Sequence, residues 1–139
     1  MKDKDFVCEV AFRFGCDERR AETLIFAVLQ ELRDRLTPKE AADVAAQLPT
    51  SLKMLWLSFD YPGRRVRRVH EYQLITEVQR MLGLEDKIRA EEAVICVFSV
   101  LQKALGSRTG REGEARHVFS QLPSGLKEMW LTSSEENAL

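Results

Sequence analysis

The chain has 139 residues, 45% of them apolar, with 21 basic side chains set against 22 acidic ones. That length supports one core of ordinary size and is short for two independent domains. A net charge near zero excludes a global field driving the chain onto nucleic acid or anionic lipid, so any such binding has to be local.

The longest apolar runs, Leu24 to Leu29 and Ala93 to Phe98, fall far below the roughly 20 residues that span a bilayer. Lys2, Asp3, Lys4 and Asp5 stand where a signal peptide would turn apolar, so a cytoplasmic location is expected. Cys8, Cys16 and Cys96 form no close pair, which suits reduced thiols acting as small core hydrophobes.

In chain order, a first helix is expected over about 4 to 14, stopped by Gly15 in a left-handed cap with Cys16 as the apolar residue beyond it. A second begins after Asp17 and carries Ala21, Leu24, Ile25, Val28, Leu29, Leu32 and Leu36 at i, i+3, i+4 spacing. Thr37-Pro38-Lys39-Glu40 opens a third with a capping box and a preset first turn. Pro49 interrupts that helix, and a short one restarts with Leu52, Leu55 and Trp56. Ser58 to Gly63, with Tyr61-Pro62-Gly63, forms a turn-rich joint.

The same string then returns. Gln47-Leu48-Pro49-Thr50-Ser51-Leu52-Lys53-Met54-Leu55-Trp56-Leu57 reappears as Gln121-Leu122-Pro123-Ser124-Gly125-Leu126-Lys127-Glu128-Met129-Trp130-Leu131, with seven of eleven positions identical. Glu9-Val10 and Gly15 match Glu77-Val78 and Gly83, Val28-Leu29-Gln30 matches Val100-Leu101-Gln102, and Thr37 to Glu40 matches Thr109 to Glu112. The offset drifts from 68 to 72 to 74, placing about four extra residues near Glu85 to Arg89 and two near Gly113. The second copy therefore reads as a helix over about 69 to 82, one over about 90 to 105, a capped third from Thr109, and a restart after Pro123. The expectation is one all-α domain, a helical bundle over 1–139 made of two tandem, pseudo-symmetric repeats at about 6–57 and 74–131. Leu24, Ile25 and Val28 should share a core with Val97, Val100 and Leu101.

A capped helix running into Gln-Leu-Pro, duplicated over about Phe6 to Leu131, resembles the family known as domain of unknown function 2267. Its most telling stretch is Leu29-Gln30-Glu31-Leu32-Arg33-Asp34-Arg35-Leu36 followed by Thr37 to Pro49. The resemblance implies an all-helical fold and a bacterial source, and supplies no catalytic residues.

Signatures of phosphate loops, zinc proteases, Cys-x-x-Cys centres and nucleophile elbows are missing, so neither cofactor nor metal is expected and an enzyme is disfavoured. His70 and His117 lie far apart and read as solvated or capping. Glu9 and Glu77 recur at matching positions, as exposed helix residues or as a carboxylate pair for acid–base work. Lys53 with Trp56, and Lys127 with Trp130, sit three apart, so each lysine stem can lie along its indole at an amphipathic edge or in a paired binding surface. Arg64, Arg65, Arg67 and Arg68 form either a locally paired basic turn or a contact for an anionic partner or nucleic-acid phosphate. Gly106 to Arg111 precedes the third helix of the second copy and could hold an anion. The sequence thus favours a non-enzymatic module binding a partner protein or itself, with nucleic-acid or regulatory binding through the arginines, and then a small-ligand binder or enzyme, as alternatives.

Overall fold

Two helices form the middle of the molecule because each has a stretch apolar on every side. In the computed structural model, which describes residues 3–48, 50–58, 60–67, 71–109 and 124–138, these are α2 (Glu18–Arg33) and α6 (Lys87–Thr109). Leu24, Ile25, Ala27, Val28 and Leu29 of α2 are buried, as are Ala93, Val94, Cys96, Val97 and Phe98 of α6. Around them lie α1 (Asp3–Phe14), α3 (Pro38–Ala45), α4 (Thr50–Leu57), α5 (Glu71–Leu82) and α7 (Ser124–Ala138). Among the described residues there are seven helices and no strand. None of these helices is long and apolar enough to cross a membrane.

The helices pack in an exchanged pattern. α1 rests on both α2 and α6, α5 rests on both α6 and α2, α4 lies on α2, and α7 lies on α6. One continuous core results, and it contains Leu24, Ile25 and Val28 together with Val97, Val100 and Leu101. At about 25 cal/mol per Å² of apolar surface, burial of this kind is the main force opposing chain entropy.

Local sequence explains the helix ends. Gly15 and Gly83 adopt φ of 81° and 61° after α1 and α5. The next residues close the caps: Cys16 N–H donates to Ala11 O at 3.0 Å and Leu84 N–H to Gln79 O at 3.0 Å. Asp17 and Asp86 each accept from the backbone three residues on, at Arg20 and Arg89, both at 2.8 Å. Thr37 and Glu40 form the expected capping box, with bonds of 3.1 and 2.9 Å. Two arginines then tie one half to the other: Arg20 Nη2 donates to Leu82 O at 2.7 Å and Arg89 Nη2 to Phe14 O at 2.6 Å.

Three boundaries differ from expectation. α2 stops at Arg33, and Leu36 reaches the core from the connection instead. α6 continues through Gly106 to Thr109, so these residues form neither a loop nor a helix start; a single glycine costs a helix only about 1 kcal/mol and no proline stands there to stop it. Thr109 is thus the last residue of α6, while Glu112, Pro49 and Pro123 lie outside the described residues.

Candidate functional site

Glu31 and Arg33 in the last turn of α2, with Asp34 at its C-cap and Arg35 just beyond, place four charges after the helix's apolar middle. Glu31, Arg33 and Arg35 are buried because the joint after α4 folds back over them. Tyr61-Pro62-Gly63-Arg64 makes that reversal as a type II turn, with proline second, Gly63 third at φ 82°, and Arg64 N–H donating to Tyr61 O at 3.4 Å. Arg67 N–H then donates to Asp34 O at 2.8 Å, pinning the joint to the end of α2.

Side chains complete the lock. Arg33 pairs with Asp34 at 2.8 Å and donates from Nη1 to Trp56 O at 3.0 Å and to Ser58 O. Arg64, only 8% exposed, pairs through Nε with Asp60 and donates from Nη2 to Arg33 O at 3.2 Å. Arg35 pairs with Glu31 at 3.1 Å, and burial pulls this guanidinium below the usual arginine range against the opposing pull of Glu31. Arg67 reaches Glu31 at 3.5 Å and Asp34 at 3.9 Å. Between these groups opens a cleft of about 480 Å³ lined by Arg33, Asp34, Tyr61, Gly63, Arg64, Arg65 and Arg67.

Of the four arginines singled out in the sequence, Arg64 is floor, Arg65 and Arg67 are exposed rim, and Arg68 lies outside the described residues. The Lys–Trp pairs behave differently. Trp56 is 0% exposed and donates from Nε1 to Ala41 O at 2.8 Å; Trp130 is 4% exposed and packs on Phe98 with centroids 5.4 Å apart. Both indoles belong to the core, and neither presents an edge beside Lys53 or Lys127, which are themselves half-buried. The cause is the position of α4 and α7 directly on the two central helices.

Glu9 and Glu77 do not form a carboxylate pair. Glu9 accepts from Lys103 at 3.1 Å and from Arg13 at 3.0 Å, whereas Glu77 pairs with Arg80. The Lys103 ammonium beside Glu9, and Arg80 beside Glu77, hold both carboxyls below the ordinary carboxylate value, the opposite of what a shared proton would produce. The Cys8 thiol is pushed up by its hydrogen bond to Glu18, and Cys16 by burial, so neither gains thiolate character. Cys96 is buried in the core as expected; Cys8 and Cys16 are half-buried. Among the described residues no group of three or more His, Cys, Asp and Glu gathers as metal ligands, and His70 and His117 lie outside them.

Arg33, Asp34, Asp60 and Tyr61 were not singled out by sequence reasoning. The available signal was the charge run Glu31 to Arg35 directly after the apolar stretch Leu24 to Leu29, since charges that close to the core must find partners.

Fold and cleft together define an all-helical protein with a guanidinium-lined surface pocket at the end of one central helix. The chain belongs to the family described as uncharacterized conserved protein DUF2267, whose model matches residues 3–129. No curated protein matches the sequence.

Proposed function

We propose that the chain is a non-enzymatic module of the bacterial cytoplasm that binds a partner protein through the corner at residues 60–67. The observation that carries this reading is the pairing of a fixed floor with an exposed rim. Tyr61 is 62% exposed beside exposed Arg65 and Arg67, and the turn holding them is bonded to α2 through backbone and side chains. Tyr and Arg are among the side chains most enriched in interface hot spots, and a preorganised rim loses little entropy on binding. The tryptophans enter only as scaffold.

Affinity capture from native cytosol, at low and high salt, tests the reading with wild type and a Tyr61→Ala/Arg65→Glu variant whose fold is checked by circular dichroism. A protein retained by wild type and lost by the variant is the expected result. A protein held equally by both removes the corner from consideration. Recovery of nucleic acid instead, with binding falling by roughly 0.9 log units per log of salt for each neutralised phosphate, would transfer the site to the nucleic-acid alternative.

We further infer that the two halves are copies of one unit related by a pseudo-twofold axis. Supporting this are the matched glycine caps, the matched Asp17 and Asp86 caps, and the reciprocal bonds from Arg20 to Leu82 O and Arg89 to Phe14 O. An isologous contact has this form, each side giving the other what it receives. The caps imply an offset of 69 through α2 and α6, in place of the 72 drawn from Val28 to Gln30, so that Glu85 is the one extra residue before α6. At this offset Gln102, which donates to Trp130 O at 2.8 Å, stands opposite Arg33, which donates to Trp56 O. Arg20→Ala and Arg89→Ala should then each destabilise the chain by about 1 kcal/mol, Arg89→Ala by somewhat more because its guanidinium also stacks on the Phe14 ring at 3.9 Å; either variant leaving stability unchanged argues against equivalent roles.

A further inference from the structure

We propose that the cleft floored by Arg33 and Arg64 is an oxyanion site, taking one phosphate or carboxylate group. The inference rests on the reading of this corner as a binding face and names the group it recognises. Four guanidinium groups line the cleft, from Arg33, Arg64, Arg65 and Arg67, against the single carboxylate of Asp34. Arg33 pairs with Asp34, Arg64 with Asp60, and Arg35 and Arg67 share Glu31. Arginine stays charged at any working pH, so the positive charge these carboxylates leave unbalanced is met by an anion rather than by loss of a proton.

The hydrogen-bond inventory points the same way. Arg64 spends Nε on Asp60 and Nη2 on Arg33 O, while its buried Nη1 has no acceptor among the described residues. Arg35, outside the cleft lining, spends Nη1 on Glu31, and its buried Nε and Nη2 likewise have no acceptor among the described residues. A structural clamp at the end of α2 accounts for the Nε and Nη2 bonds of Arg64. It does not account for an unsatisfied fork arm of a buried guanidinium in the floor of an arginine-lined cleft. Planar guanidinium forks match two oxygens of a phosphate or carboxylate, and Arg65 and Arg67 on the rim supply the remaining donors. Tyr61 at the mouth offers a ring for the residue that carries the group.

Titration of the full chain at constant ionic strength, followed by the backbone and arginine side-chain NMR resonances, tests this. The probes are inorganic phosphate, a phosphoserine peptide, the same peptide with glutamate in that place, and the peptide with unmodified serine. Saturable shifts centred on Arg64 and Arg65 are expected, with Kd raised at least about tenfold by Arg65→Ala, which touches only the rim, and by Arg64→Lys, which keeps charge but loses the fork. Arg19→Ala, at an exposed arginine in the first turn of α2, the opposite end of that helix from the cleft, should change nothing. Tighter binding of the phosphoserine or glutamate peptide than of inorganic phosphate assigns the group to a partner chain, and the reverse order assigns it to a free anion. Shifts that fail to saturate, or that Arg19→Ala weakens as much as Arg65→Ala, overturn the site. If phosphate fails while the Tyr61→Ala/Arg65→Glu variant still loses its captured protein, the oxyanion inference falls and the binding face stands.

Discussion

Replacing Trp56 by alanine removes the largest fully buried side chain and leaves a cavity between α3, α4 and α2. Truncations of buried Trp or Phe cost about 3–5 kcal/mol, the spread reflecting how far the surroundings collapse. Collapse is restrained here, because Arg33 holds the Trp56 carbonyl at 3.0 Å and the capping box holds the start of α3. The upper half of the range is therefore expected. Loss of the indole donor to Ala41 O adds little, since that carbonyl lies within α3 and keeps a helical partner available. Against a total stability of about 5–15 kcal/mol, the variant should be marginal. Trp56→Phe, which keeps most of the volume, should lose about 1–2 kcal/mol. Urea unfolding followed by circular dichroism, with mass measured by light scattering, gives both values. A Trp56→Ala chain that melts within about 3 °C of wild type would refute the core assignment, because 1 kcal/mol alone shifts Tm by roughly 2–8 °C at this size.

Glu9 supplies a pH prediction. Its carboxyl is held low, chiefly by Lys103, so its stabilisation is fully present above the ordinary carboxylate range and is lost as pH falls through the lowered folded value. Glu9→Gln should cost about 0.5 kcal/mol at pH 7, and the difference from wild type should close on acidification; a gap that widens towards pH 3 contradicts the pairing with Lys103. Gly83→Ala should cost about 1 kcal/mol from the positive φ alone, as nothing lies within 4 Å of an added Cβ. An unchanged urea midpoint would dismiss the left-handed cap. Thr37→Ala should cost about 1 kcal/mol through loss of the capping box, with α3 amides exchanging faster; exchange accelerating elsewhere first would point to another cause.

The helices before Pro62, the caps at Gly15, Gly83, Asp17 and Thr37, and the identity of the two central helices follow from the sequence by itself, because each is written within a few neighbouring residues; the capping box expected at Thr109 does not, since α6 runs through that residue. Gly15, Gly83, Asp17 and the Thr37–Glu40 box act over three to five positions, and an all-apolar stretch can only go to the middle. The Lys–Trp stripe illustrates the limit of such local signals: periodicity puts Lys53 and Trp56 near one another but does not say which face meets α2. The cleft was decided by tertiary structure for the same reason. Its floor joins Arg33 to Arg64 across 31 residues, and Arg64 reads as one of a solvated basic run until Asp60 and the carbonyl of Arg33 are brought beside it. Charge pairing at that range depends on the direction the chain takes after Gly63, and a turn's sequence sets its local geometry without naming the surface it folds onto.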